Sequence, residues 1–452
     1  MQLIRKYNTA APRYTSYPTV PYWDEATFDI DIWKQTILRS FRATNHTEGI
    51  SLYIHLPYCE QLCTYCGCNK HITVNHGVEA PYIQSILNEW ALYLQLFEER
   101  PRIREIHLGG GTPTFFSPEN LHALLSRIYL HADLLPDATL SFEGHPNNTT
   151  TAHMQTLYNL GFRRMSLGIQ DFDPKVQDII NRIQPYETVA SVTAAARAIG
   201  YTSVNYDLVY GLPLQTMTSV EDTIRKVMQL RPDRISFYSY AHVPWVKGVG
   251  QRRYSETDLP KDEEKRALYE LGKTLFAESG YTEIGMDHFA LRHDSLYHAC
   301  DEGSLHRNFM GYTDHHTTLM IGLGASSIGD SWYAYTQNEK RIAVWQQLVN
   351  SGQFPVVRGH ILDEEDLLLR RHIHALMCSF KTSWSKADRE GPVIQEGLER
   401  LQELENDGLV LITEEGVSVT EKGRPFIRNI CMAFDARLWR KLPQSQLFSA
   451  AI

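Results

Sequence analysis

"ISLYIHLPYCEQLCTYCGCNK", residues 50 to 70, decides how this chain is read. Its first seven residues, Ile50 to Leu56, are a β-branched and apolar run that predicts a buried strand. The loop that follows at once carries Cys59, Cys63, Cys66 and Cys68, a CX3CX2CXC spacing. The other three of the seven cysteines, Cys300, Cys378 and Cys431, are scattered, so no disulfide framework is expected and the cluster reads as metal or redox chemistry. Thiolates are soft ligands that select zinc or iron–sulfur centres. A structural zinc site ordinarily uses two separated ligand pairs, and a bacterial ferredoxin uses CX2CX2C with a distant fourth cysteine; this loop matches neither. Three thiolates at this spacing can hold three irons of a [4Fe-4S] cube. The fourth iron is then open to a small molecule unless Cys68 reaches it.

Outward from this loop, strand-like segments alternate with amphipathic helical ones, the pattern of a parallel sheet with crossover helices. Strands are predicted at 50–56, 103–109, 138–144, 163–170, 203–211 and 233–241, and helices near 79–98, 117–132, 150–160, 174–199 and 218–230. Six such units make either a partial barrel or an open doubly wound sheet, and in both the functional groups gather at the C-terminal strand ends. The cysteine loop, "GGGTPT" (109–114), Glu143, Gln170 and Asp207 all stand at or near such ends. Before the sheet lies an arm read as irregular. Beyond residue 245 the alternation loosens, with a helix near 261–279 and extended segments "YTEIGMDHFA" and "LMIGLGASSIGD". Near the C-terminus an amphipathic helix at 393–410 and a hairpin turning at Glu415-Gly416 resemble a winged-helix module.

Composition excludes several classes. At 452 residues, 43% hydrophobic and 21% charged, this is an ordinary globular composition with no run of apolar residues long enough to span a bilayer. The N-terminus has no apolar core of a secretory signal, so the cytoplasm is the expected location. A net charge of −9 disfavours general affinity for nucleic acid.

The CX3CX2C loop after the first strand, with Tyr65 before the third cysteine, resembles the radical S-adenosylmethionine superfamily. "PRYTSYPT" (12–19), "GCNK" (67–70), "GGGTPT", "GIQDF" (168–172), "DLVYGLP" (207–213), "GMDHFA" (285–290), "HRNFMGYT" (306–313) and "IRNICMAFD" (427–435) together resemble the oxygen-independent coproporphyrinogen III oxidase family across nearly the whole chain. The resemblance implies a partial (β/α)6 barrel at 49–290, an N-terminal arm at 1–48, a connecting segment at 291–355 that completes the active site, and a mainly helical, winged-helix-like domain at 356–452. It implies that Cys59, Cys63 and Cys66 ligate a [4Fe-4S] cluster, whose open iron takes S-adenosylmethionine. Two molecules of that cofactor are implied: Tyr53, Gly110, Glu143 and Ile328 around the first, and Tyr65, Gly111, Thr112, Gln170, Arg182, Asp207 and Ala241 around the second. Cys68 is implied to lie near the cluster without ligating it and to assist in handling substrate. His145, in "FEGHPNN", departs from the acidic residue and proline common in that turn.

The implied reaction converts two propionates of coproporphyrinogen III to vinyl groups through a 5′-deoxyadenosyl radical, giving protoporphyrinogen IX for haem. It calls for a reducing donor such as a flavodoxin or ferredoxin and for an unidentified electron acceptor, and the chain is expected to be a monomer. Arg13 and Arg307 are candidates to meet the four substrate carboxylates. Other functions remain open: a haem-trafficking protein of the same fold, a radical enzyme acting on haem, and a cluster-sensing winged-helix regulator. Cys68 and "PRYTSYPT" argue against the first, and the acidic charge argues against the last.

Overall fold

A computed structural model describes residues 2–243, 251, 253–443 and 447–451; Met1, residues 244–250, 252 and 444–446, and Ile452, which the expected divisions include, lie outside the described residues. Strand β1 (Ile50–Leu56) is followed by β2 (Arg102–Gly110), β3 (Asp133–Gly144), β4 (Arg164–Gln170), β5 (Ser203–Tyr210) and β6 (Arg234–Ser239). Then come β7 (Tyr281–Gly285), β8 (His288–Leu291), β9 (Met320–Leu323), β10 (Ile328–Asp330), β11 (Ala334–Asn338) and β12 (Val356–Ile361). All join one twelve-stranded sheet in the order β12-β11-β10-β9-β1-β2-β3-β4-β5-β6-β8-β7. The six expected strands pair in parallel from β1 through β6, and β9 adds a seventh parallel strand against β1. Antiparallel strands finish both edges, so the sheet is a curved α/β layer and no closed barrel.

The side-chain period of two explains what each face of the sheet does. One face carries Leu52, Ile54, Leu56, Ile106, Leu108, Phe142, Leu167, Val204, Tyr206, Ile235 and Phe237, all buried in one core beneath the crossover helices. The other carries Tyr53, His107, Glu143, Ser166, Asn205, Asp207, Ser236 and Tyr238, a polar interior. The helices start where local chemistry dictates. Ser117 caps Pro118–Tyr129 by accepting from the Asn120 N–H, with Pro118 in the first turn where its missing N–H costs nothing.

Two expectations that precede the C-terminal region are corrected. The segment 174–199 is two helices, Pro174–Ile179 and Tyr186–Ile199. Asn181 takes a left-handed φ of 53° and Pro185 disfavours helix in the residue before it, so the chain breaks and places Arg182 in the gap. The N-terminal arm is not irregular throughout. Ile30–Thr44 is a 15-residue helix capped by the Asp29 carboxylate, with Trp33, Ile37 and Phe41 on its buried face.

Near the C-terminus, helices Glu364–Ser379 and Pro392–Asn406 pack with a three-stranded antiparallel sheet of Lys381–Ser383, Gly416–Val419 and Val410–Ile412. They enclose their own core, including Leu369, Leu376, Leu401, Val410 and Ile430, into which the arm inserts Tyr7, Tyr14 and Tyr17. The turn closes over 413–415, with Gly416 already in the strand. Arg428 clasps arm to tail: its guanidinium donates to the carbonyls of Ala11, Pro12, Ser449 and Ala450.

Candidate active site at the strand ends

The polar face opens into a cavity of ≈ 520 Å³ bounded by the cysteine loop on one side and by β5, β6 and the hairpin His306–Thr313 on the other. Its floor lies at the N-terminal ends of the strands. There Arg234 pairs with Asp294 at 2.6 Å and Arg164 with Asp314 at 3.2 Å, all four side chains substantially buried. Glu105 accepts from Ser51 and Thr313, each at 3.2 Å.

At the mouth, Cys59, Cys63, Cys66 and Cys68 all line the cavity as free thiols. Cys59 Sγ lies 3.3 Å from Thr112 Oγ1, and the Arg182 guanidinium donates to Cys63 Sγ at 3.5 Å and to the Gly168 carbonyl at 2.6 Å. A hydrogen bond from Cys68 pulls the Cys66 thiol down to about 6 against the cost of burial, helped by Lys70 and Arg182. Burial pushes Cys59 up to about 11. Lys70 Nζ donates to the Cys66 and Cys68 carbonyls and fixes the loop's last turn.

These residues fit an iron–sulfur cluster. Among the described residues, no three His, Cys, Asp or Glu side chains stand close enough together to hold a single metal ion. Thiols spread around a mouth suit a polynuclear centre, in which each iron takes its own thiolate. Beside them the glycine turn makes room. Gly110 has φ 115°, and a Cβ there would meet the His55 ring at 2.7 Å; one on Gly111 would meet the Pro57 carbonyl at 2.5 Å. Only a bare backbone can run this close to β1, and it leaves amides at the cavity. One of them, Gly110 N–H, donates to Glu143 Oε2 at 3.2 Å.

His107 Nε2 lies 3.3 Å from Glu143 Oε1 while its Nδ1 bonds Ser141 at 2.8 Å, and its ring stacks on Tyr53. Burial is outweighed by His107 and the Gly110 amide, which hold the Glu143 carboxyl below its ordinary range. Asp207 accepts hydrogen bonds from Ser166 and Asn205, each at 2.8 Å, with Ser236 also bearing on it, and among the described residues no cation pairs with it; burial pushes it up to about 6. His145 lines the mouth near Arg182, and burial pushes its imidazole down to about 3, so it is neutral there.

Tyr65, Gly110, Gly111, Thr112, Glu143, Gln170, Arg182 and Asp207 line the cavity with the four cysteines. Tyr53, Ala241 and Ile328 do not line it. Tyr53 hydrogen-bonds His55, and Gln251 joins the carbonyls of Ala241 and Tyr65. Ile328 packs on Trp23, Tyr335 and Leu362, its backbone against Gly322, the partner of Tyr53 in the sheet. Sequence reading missed His55, His107, Tyr238, His288 and Tyr312. Parity along the strands could have found His107, two residues before Gly109, and Tyr238, two after Ser236. His288 and Tyr312 come from elements whose placement the local pattern does not carry.

The Radical SAM superfamily model matches residues 53–227. The chain is 38% identical to an oxygen-independent coproporphyrinogen III oxidase of Pseudomonas aeruginosa, over 96% of this chain and 95% of that protein. It is 37% identical to the Escherichia coli protein of the same name, over 100% of this chain and 98% of that one. Among solved structures, that of a coproporphyrinogen III oxidase from Escherichia coli, described as a radical SAM enzyme, superposes with a TM-score of 0.88 at 36% identity, covering 94% of this chain and 97% of that one.

Proposed function

The chain belongs to the family of oxygen-independent coproporphyrinogen III oxidases, and from that premise we propose how its residues divide the work. It is an oxidoreductase of haem biosynthesis that acts on coproporphyrinogen III with a [4Fe-4S] cluster and S-adenosylmethionine. Two propionates become vinyl groups, and each loses one hydrogen atom, carbon dioxide and one electron. When bound, the cluster supplies the electron that cleaves S-adenosylmethionine and thereby the hydrogen-abstracting species.

Cys59, Cys63 and Cys66 hold the cluster, with Cys68 easing the ionisation of Cys66 and the Arg182 guanidinium set against the Cys63 sulfur. Gly110 and Glu143 receive the first S-adenosylmethionine; the Glu143 carboxylate suits its ammonium group, and His107 orients that carboxylate. Tyr53 and Ile328 are assigned to this side. A second S-adenosylmethionine is assigned to Tyr65, Gly111, Thr112, Gln170, Arg182 and Asp207, with Ala241 tied to Tyr65 through Gln251. Cys68, exposed at the mouth, is placed to assist substrate rather than to ligate. The segment 291–355 completes the site after the 49–290 barrel, a division supported by Met310, Tyr312 and Thr313 in the cavity wall. Among the described residues no helix is long and apolar enough to cross a membrane. The same reading takes the chain as a cytoplasmic monomer served by a flavodoxin or ferredoxin and an electron acceptor.

The convergence of the three thiols, the glycine turn and Glu143 on one cavity carries this reading. The test is anaerobic: reconstituted protein, dithionite, S-adenosylmethionine, coproporphyrinogen III and a one-electron acceptor, with products followed by mass. 5′-Deoxyadenosine together with protoporphyrinogen IX is the expected pair. 5′-Deoxyadenosine without a vinyl product would move the substrate elsewhere, with haem tested next.

A further inference from the structure

A substrate with four carboxylates needs cations, and most arginines around this cavity are already matched. Arg164 and Arg234 pair with Asp314 and Asp294, Arg370 with Asp330, and Arg13 with Asp287. Arg182 faces the Cys63 thiol, and Arg428 spends its donors on backbone carbonyls. Arg307 differs. It is 7% exposed, and among the described residues no carboxylate pairs with it. Its Nε and Nη1 are buried without a hydrogen-bond partner, and Nη2 donates only to the Arg13 carbonyl, at 3.3 Å.

A buried cation with neither counter-ion nor full hydrogen bonding is costly, and a chain selected for stability alone would replace it. Arg307 stands next to the cavity without itself lining it. It lies in the hairpin whose Met310, Tyr312 and Thr313 form the cavity wall opposite the cysteine loop, and its guanidinium sits over the ring of the lining residue Tyr312 at 4.5 Å. The stack holds the planar fork in one orientation, which favours two-pronged recognition of a carboxylate over the point charge of a lysine.

We propose that Arg307 receives one propionate carboxylate of the tetrapyrrole, anchoring the substrate on the wall formed by the His306–Thr313 hairpin. This rests on the reading of the chain as a coproporphyrinogen oxidase. It adds the cation that fixes an acid side chain and the distinction between an acid and its ester.

The test uses full-length, cluster-loaded protein and coproporphyrin III, the stable oxidised tetracarboxylate, as a fluorescent probe, beside its tetramethyl ester. Wild-type protein is expected to bind the acid at least tenfold more tightly than the ester. Arg307→Met should weaken acid binding by about tenfold or more, the size of one charge-assisted hydrogen bond, and leave ester binding within twofold. Its midpoint of thermal unfolding should equal or exceed that of wild type, because an apolar side chain of similar length removes an unpaired buried charge. Acid binding within twofold of wild type would overturn the proposal, as would a variant that loses acid and ester equally. Should Arg307→Met yield no iron-loaded protein, Arg307→Lys carries the same test with an expected fall of at least threefold and the same overturning result. Failure of the wild type to make vinyl product would instead sink the functional reading on which the proposal stands.

Discussion

The two ends of the same strands treat charge in opposite ways. At the N-terminal ends of β4 and β6, Arg164 and Arg234 meet Asp314 and Asp294 at 3.2 and 2.6 Å, away from water. At the C-terminal ends, Asp207 has, among the described residues, neutral hydrogen-bond partners and no paired cation, and Glu143, set deep in the protein but open to the cavity, has one backbone amide and one imidazole. The floor closes its charges upon each other and ties β4 and β6 to the segments that carry Asp314 and Asp294. The mouth leaves its acids and thiols short of partners, and a ligand must complete them. Burying charge serves the fold at one end and chemistry at the other.

Substitutions at the two ends should therefore separate cleanly. The largest effect is expected at the mouth: Cys63→Ala should abolish cluster incorporation and take turnover to background, read by iron content and product, while leaving the apo protein's unfolding close to wild type. Next, Asp314→Ala on the floor strands Arg164 and should cost about 3–5 kcal/mol in urea unfolding. The fraction still folded should bind S-adenosylmethionine normally, and a loss of cofactor affinity equal to that of mouth variants would erase the distinction. Glu143→Gln keeps the shape and removes the charge; calorimetry should show a ten- to hundredfold loss of S-adenosylmethionine affinity, about 1.5–3 kcal/mol, with little change in stability.

The smallest effect is a pH dependence. Burial raises Asp207 from 3.8 to about 6, so the fold is favoured when this carboxyl is protonated, and that contribution is lost as pH rises through about 6. Binding of the sulfonium cation runs the other way. It should strengthen by at most about tenfold between pH 5 and 7, and Asp207→Asn should flatten that slope. An unchanged slope in Asp207→Asn would place the titrating group elsewhere, with Asp171 and Asp435, both also raised to about 6 by burial, as the next to vary.

The mouth was more legible in the sequence than the floor, for a physical reason. Cys59 to Cys68, Gly109 to Thr112 and the alternation through Glu143 and Asp207 are local patterns, written within a loop or along one strand. The floor is a set of ion pairs between residues far apart in the chain: Arg164 and Asp314 are 150 positions apart, Arg234 and Asp294 are 60. No periodicity announces them. β9 and β10 fall within "LMIGLGASSIGD", read as extended, whereas β11 and β12, of five and six residues, carry no period long enough to be read. The expectation of an irregular arm passed over the signals of the helix at Ile30–Thr44, its Asp29 cap and its 3–4 spacing of Trp33, Ile37 and Phe41, whereas the gap holding Arg182 was marked only by Pro185.

The most direct test of the account counts carbon. Coproporphyrinogen III labelled with 13C at its propionate carboxyls is supplied anaerobically with reductant, S-adenosylmethionine and an electron acceptor, and labelled carbon dioxide is measured against tetrapyrrole consumed. The account predicts two labelled molecules per tetrapyrrole, with the remaining two carboxyls intact in the product. Retention of all four labels while 5′-deoxyadenosine accumulates would contradict it.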